Sequence, residues 1–273
     1  MKTLLKSLRE LEAAGRWDID FHLPPEGIKK FPKHLLQRID AIADVVKEKR
    51  DPTAEPDAVF QYVDISSIDV ATGEIANPQD LEGHEAPSRA RKVIHAFDVI
   101  VSTCRPTRGA IAVVPPKLHG QIASTAFSVL RAHANVNPFY LHFAIRLPST
   151  LEQFRKWSTG SSYPAILDSD VKKTLIPVPP SSVQDEIAIK VISALQERSM
   201  NICAANTAWN NALSTITASL TGEKEHQMEP SQELPNFSAF TIAEIRDVLS
   251  KLPPTSTANV ALEVGYGSDL FGN

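Results

Sequence analysis

The chain has 273 residues, 42% of them apolar, and a formal net charge of −4. That is enough apolar material for a sizeable core, with no run approaching a membrane span; the only two cysteines, Cys104 and Cys203, sit far apart, which argues against a disulfide framework or a metal clip. Met1-Lys2-Thr3-Leu4-Leu5-Lys6 returns to charge before a signal-type apolar core develops, so a cytoplasmic protein is expected.

From the N-terminus, Leu4, Leu5, Leu8 and Leu11 form a helical stripe ending at Gly15, and a second helix is predicted from Pro32 with Leu35, Ile39, Ile42 and Val46 on one face. Between them, Trp17-Asp18-Ile19-Asp20-Phe21 reads as extended chain, and residues 51–56 read as a rigid loop. Strands are predicted at 59–65, 98–103, 110–114, 122–130 and 175–178, where β-branched and aromatic residues concentrate. Turns are predicted at Ala71-Thr72-Gly73-Glu74 and at Arg105-Pro106-Thr107-Arg108-Gly109.

Asn137-Pro138-Phe139-Tyr140 is close to the Asn/Asp-Pro-Pro-aromatic tetrapeptide with which amino-methyltransferases hold a target base. The third residue is Phe rather than Pro, and no glycine-rich cofactor loop precedes it, so capping chemistry is the better reading: Asn137 as N-cap, Pro138 at the first helical position. A further helix follows at 151–157. The segment Ser158-Thr159-Gly160-Ser161-Ser162-Tyr163-Pro164 is either a phosphate-holding loop, with Arg155 and Lys156 just before it, or a plain turn. The eight histidines show no zinc spacing, and there is no nucleophile elbow or phosphate loop, so neither catalytic residues nor a metal site are predicted.

Residues 182–221 contain nothing that breaks a helix. Apolar or small residues recur at alternating spacings of four and three: Ala188, Ile192, Leu195, Ser199, Ile202, Asn206, Trp209, Leu213, Ile216 and Leu220. Ser182 with Asp185 reads as a capping box and Gly222 as the left-handed stop. A seam this long needs a second helix, and no other stretch of the chain is long enough, so the partner helix is expected in another molecule: a second copy of this chain, paired antiparallel, with Ile192, Leu195, Ile202, Trp209, Leu213, Ile216 and Leu220 as apolar contacts and Ser199 and Asn206 setting the register, or, as the alternative, a subunit of another kind. Beyond it, 223–235 reads as a linker, followed by a short helix with Thr241 and Glu244 as capping box, Ile242, Ile245 and Leu249 as its stripe, and a stop at Pro253-Pro254.

Charge is unevenly spread. Between residues 89 and 173 twelve Lys/Arg face four Asp/Glu, a local net of +8, whereas the flanks are acidic. That asymmetry suits a nucleic-acid face, for which Arg89, Arg91, Lys92, Arg105 and Arg108 at strand ends are the first candidates.

Four segments, taken in order, carry a resemblance: Phe97-Asp98-Val99-Ile100-Val101-Ser102-Thr103-Cys104-Arg105-Pro106; Gly109-Ala110-Ile111-Ala112-Val113-Val114; Thr159-Gly160-Ser161-Ser162-Tyr163-Pro164-Ala165-Ile166; and Ile176-Pro177-Val178-Pro179-Pro180 leading into the long helix. Together with Tyr62-Val63-Asp64-Ile65-Ser66-Ser67-Ile68 and Thr72-Gly73, they resemble one half of the DNA-specificity (S) subunit of type I restriction-modification systems, over roughly residues 17–221. Phe97 stands where that family commonly has Gly.

The resemblance implies an α+β chain. Residues 1–180 would form a mixed α/β target-recognition domain, 181–222 a spacer and dimerisation helix, and 223–273 a linker and helical tail. It implies a non-enzymatic subunit that directs adenine methyltransferase subunits, which would supply S-adenosylmethionine, and in complete systems a restriction subunit, to a bipartite site in double-stranded DNA. With one domain and one helix, a homodimer would read two half-sites. The resemblance also adds the loop residues Thr159, Ser161 and Tyr163, after Arg155 and Lys156, to the DNA face. Two alternatives stay open: a scaffold of the same fold that does not read DNA, and a detached recognition fragment of a single-chain methyltransferase.

Overall fold

The computed structural model describes residues 4–23, 25–160, 162–222 and 241–252, with the side chains of Asp20 and Ile242 outside the description. It is an α+β body from which one long helix projects.

The N-terminal helix α1 (Leu8–Ala14) is cut out by the Ser7/Glu10 capping box and by Gly15 in the left-handed conformation. It buries no residue of its own. Asp18 caps a short helix, α2 (Ile19–His22), where extended chain was expected; its carboxylate accepts the Phe21 amide and so makes the turn locally favourable.

The helix expected from Pro32 is absent. In its place come strand β1 (Leu36–Arg38), a 3-10 turn (Ile39–Ala41) and strand β2 (Ala43–Val46). Ile39, Ile42 and Val46 are buried, so the apolar spacing marked burial correctly and the period wrongly. Pairing supplies the reason: β1 finds a partner at the far end of the domain, and β2 lies against a central strand.

β3 (Val59–Val63) is followed by the small hairpin β4 (Ile68–Asp69) and β5 (Glu74–Ile75), then β6 (Gln79–Glu82), β7 (Ala90–Ile94), β8 (Val99–Ser102) and β9 (Ile111–Val113). The expected strand at 122–130 is two strands, β10 (Gln121–Ser124) and β11 (Phe127–Ala132), which enter different sheets. Thr125 and Ala126 form the corner, where the Ser124 hydroxyl accepts the Ala126 amide.

One sheet has the order β6-β3-β10-β7, with β3 and β10 parallel; the other, β2-β11-β8-β9, is antiparallel. The second sheet is buried on both faces. Val99, Val101, Ile111, Val113 and Leu130 belong to a core shared with helices, whereas Ile100, Ala112 and Val129 face the first sheet. This double burial explains why these strands read as continuous apolar runs instead of alternating.

The helices on the outer face are α3 (Pro138–Arg146), α4 (Pro148–Trp157) and α5 (Asp168–Lys173). Asn137 caps α3 by accepting the amides of Phe139 and Tyr140, with Pro138 at the first helical position, as capping chemistry predicts. Strand β12 (Leu175–Pro177) then closes the body on β1.

Phe97 has φ 67° and is fully buried, its ring centroid 6.1 Å from that of Phe139. A left-handed backbone favours glycine, so this position carries strain that the aromatic packing offsets.

Helix α6 (Ser181–Thr221) is one uninterrupted helix of 41 residues, ended by Gly222 at φ 71°. Its start departs from expectation: Pro180 is the N-cap, and Asp185, instead of closing a capping box with Ser182, accepts hydrogen bonds from Asn137 and Arg246. The head of the seam is used within the chain. Ala188 and Ile192 join the core, so Ile192 is not left for a partner as expected. Farther out, Arg198 reaches Asp69 on the β4–β5 hairpin at 3.5 Å. Ile202, Trp209, Leu213, Ile216 and Leu220 are exposed along the projecting part, and Leu195 and Ser199 are half-buried. Asn206 is exposed as well.

Thr241 and Glu244 close the expected capping box of α7 (Ile242–Lys251). The expected linker at 223–235 and the stop at Pro253-Pro254 lie outside the described residues.

Candidate nucleic-acid interface

One surface brings together most of the residues singled out from the basic segment. Its floor is a backbone ladder between residues 103–105 and 159–166. The Arg105 amide donates to the Pro164 carbonyl at 2.7 Å and the Ile166 amide to Thr103 at 2.9 Å, while Thr159 and Ala165 exchange hydrogen bonds of 2.9 and 2.8 Å. A second connection runs to the β10–β11 corner: the Thr103 amide donates to Ala126 at 2.8 Å, and the Thr125 amide to Arg89 at 2.9 Å. Segments far apart in sequence therefore form one continuous rim. Thr125 and Ala126 were missed from sequence because they lie in a run of strand formers; the Ser124-Thr125 pair, able to turn the chain through its hydroxyls, was the available signal.

On this rim Arg105 adopts the left-handed conformation at φ 48°, and its guanidinium lies 4.6 Å from the centre of the Tyr163 ring. Tyr163 is itself 77% exposed. A positive φ at a non-glycine residue carries strain, and here it turns the Arg105 side chain onto the facing loop. Arg108 ends the 3-10 turn Pro106–Arg108, which packs on α4, and is exposed, as are Arg155 in the last turn of α4 and Arg89 before β7. Thr159 is exposed too, and Ser161 lies outside the described residues.

Other candidates turn inward. The Lys92 ammonium donates to the Phe127 carbonyl and lies 3.9 Å from Asp168, and burial pulls its pKa below the ordinary lysine value. Lys156 is 5% exposed, its ammonium 5.6 Å from the Phe21 ring centre and 5.2 Å from that of Trp157, so it braces α2 against α4 and does not face solvent. Arg91 is half-buried and lies 3.4 Å from Asp51.

Two arginines that swell the basic count are also structural. Arg131 grips the buried Asp98 with two hydrogen bonds of 2.9 and 3.0 Å, and Arg146 donates to the carbonyls of Val70, Ala71, Gly109 and Ile111. The +8 of the sequence is thus not all surface charge. What remains on the rim is Arg89, Arg105, Arg108 and Arg155, with the exposed hydroxyl of Tyr163. Guanidinium groups beside an exposed aromatic ring suit phosphate and base-edge contacts; nothing in the arrangement resembles a nucleophile with its base. Among the described residues no group of His, Cys, Asp and Glu is placed to hold a metal, and Cys104 and Cys203 form no disulfide. No helix among the described residues is long and apolar enough to cross a membrane.

Three comparisons bear on this geometry. No family model matches the chain. The specificity subunit of the type I restriction enzyme HindI of Haemophilus influenzae is 28% identical over 183 residues, 64% of this chain and 37% of that protein. The HsdS subunit from Thermoanaerobacter tengcongensis superposes with a TM-score of 0.55 at 39% identity, covering 71% of this chain and 51% of that one. A chain solved in a study of complex assembly and conformational transition of the type I restriction-modification system matches with a TM-score of 0.54 at 37% identity over the same shares. The chain spans about half the length of the solved structures it matches, and little more than a third of the Haemophilus protein. With its α+β body and its projecting helix, the chain is thus similar over about 70% of its length to specificity subunits of type I restriction-modification systems, and it matches about half the length of the solved ones.

Proposed function

We propose that this chain is the sequence-reading, non-catalytic subunit of a type I modification system. In this reading residues 1–180 recognise DNA, residues 181–222 form the spacer helix, and residues 223–273 are an accessory tail. The observation that carries it is the similarity to an HsdS structure at 39% identity, covering 71% of this chain. The rim of Arg89, Arg105, Arg108 and Arg155 with Thr159 and Tyr163 is the DNA face. Thr103, Thr125 and Ala126 shape its floor. Adenine methyltransferase subunits, which supply S-adenosylmethionine, are the expected partners, with a restriction subunit in a complete system and the cytoplasm as the expected location.

The exposed outer part of α6 supports self-pairing. Ile202, Trp209, Leu213, Ile216 and Leu220 fall at spacings of seven, four, three and four, and Leu220 is 83% exposed. Burying each of these is worth about 1.5–3 kcal/mol before ordering costs, which a matching helix supplies most directly. An antiparallel two-fold near Asn201, the middle of the helix, sets two recognition bodies at opposite ends, as a pair of half-sites requires.

Charge reversal at two rim positions tests DNA reading. Arg105→Glu with Arg108→Glu should weaken DNA binding by the assembled complex at least tenfold and lower the log–log salt slope by up to about two. The inward turn of Lys92, Arg131, Arg146 and Lys156 favours a second reading, a scaffold with the same fold. Unchanged affinity and salt slope in that variant would select it.

A further inference from the structure

α7 docks at the head of α6, whereas its tether leaves from the tail. Ile245 is 1% exposed and belongs to the same core as Ala188 and Ile192, with Val248 and Leu249 packed against it. Beside it Arg246 donates to Asp185 at 2.7 Å, and the other oxygen of that carboxylate accepts from Asn137 at 3.0 Å. Asp185 thereby ties α3, α6 and α7 together.

Within one chain this docking spans nearly the whole length of α6. From Asp185 to Thr221 the helix runs for about 54 Å at 1.5 Å per residue. The twenty-residue step from Thr221 to Thr241 reaches roughly 66–72 Å at full extension. Docking in cis therefore takes roughly two thirds or more of the available reach. In an antiparallel pair, Thr221 of one copy lies about 8–10 Å to the side of the other copy's α6 head, within a turn or so of its Asp185. That span is a small part of the step's reach, so docking in trans demands far less extension of the chain than docking in cis.

We propose that α7 is exchanged between the two protomers of the dimer, each copy seating Ile245 and Arg246 at Asp185 of the other. This rests on the self-pairing reading above. Exchange makes the tail a clasp: the dimer covers the exposed seam and completes both core edges in one association, and a dissociated copy must either stretch its tether or leave the edge beside Ala188 open.

The test uses the full chain with Cys104→Ser and Cys203→Ser, carrying Asp185→Cys and Arg246→Cys, treated with a bismaleimide that spans about the length of an arginine side chain. The apolar seat of Ile245 keeps the helix docked without the ion pair. Exchange yields a covalently linked dimer as the main product. Mixing copies that carry only one new cysteine each yields the linked heterodimer. A second form removes eight residues from within 223–240. The remaining twelve-residue step reaches roughly 40–43 Å, too short for docking in cis and ample in trans, so the yield of linked dimer should stay within twofold.

A sedimenting dimer whose cross-link is intramolecular, and is lost on shortening, overturns the exchange and leaves self-pairing standing. A sedimenting dimer with no cross-link of either kind overturns the docking and the exchange with it. A wild-type chain that stays monomeric at tens of micromolar overturns self-pairing itself.

Discussion

Gly73 shows how much one position can be asked to do. It holds φ 76° in the β4–β5 hairpin, and a Cβ there would lie 2.2 Å from Nε2 of His142 and 2.6 Å from the Ile111 carbonyl. Gly73→Ala should cost about 2 kcal/mol or more, read as a lower urea midpoint, because it adds both backbone strain and overlap with atoms that cannot retreat. The neighbouring His142 is fully enclosed, and burial, reinforced by the Arg146 charge, lowers its pKa to about 3. Its unfolded value is near 6.5, so the unfolded chain binds a proton between those values that the folded chain refuses. The stability contribution is intact above pH 6.5 and is lost as pH falls toward 3, by at most about 1.4 kcal/mol per pH unit. Comparing urea midpoints at pH 7 and pH 5 should show this slope, and His142→Gln should flatten it relative to the parent. Thr72-Gly73 was legible in the sequence as a turn, but the histidine beneath it was not, since nothing in local pattern places residue 142 under residue 73.

Among the elements, α6 was the most legible and the 32–46 region the least. A helix of 41 residues without a breaker is specified by its own chain, and its Gly222 stop was written locally. The segment at 32–46 has apolar spacing compatible with a helix, yet its backbone is claimed by strands contributed from residues 129–132 and 175–177. Such non-local pairing overrides a weak local preference. The reading of α6 as one seam also needed correction: its head serves the chain's own core, and only the part from Ile202 outward stays open. Leu213→Glu with Leu220→Glu lies entirely in that open part. This variant should sediment as a monomer while its thermal midpoint for the globular body changes little, since exposed substitutions away from packed sites usually cost within about 0.5 kcal/mol.

At the scale of the whole molecule, net charge by segment overstates the charge that the basic segment presents at its surface. Arg131 and Arg146 are spent on a buried carboxylate and on loop carbonyls, and Lys92 and Lys156 on a carbonyl and aromatic rings. Sequence counts charges but does not say which way they face. The proposed dimer has a metric consequence. Inserting one heptad after Asn206 lengthens each helix by about 10 Å, the rise of seven residues. The two bodies should then stand farther apart by the length of about three base pairs at 3.4 Å each. Methylation sequencing of a strain carrying the insertion should show unchanged half-sites with a gap longer by about three, and an unaltered gap would detach α6 from the role of spacer.

The ladder between 103–105 and 159–166 limits how this surface can change. Its two strands are separated by more than fifty residues of chain, yet each satisfies the other's amides and carbonyls. Replacing one strand alone with a segment of different length leaves groups unpaired on both sides, at about 1–3 kcal/mol for each one that stays buried. The two loops are therefore a single unit of inheritance: drift in one is tolerated only with a matching change in the other, and a transplant of this surface onto a related scaffold must carry both together with the 124–126 corner that braces them.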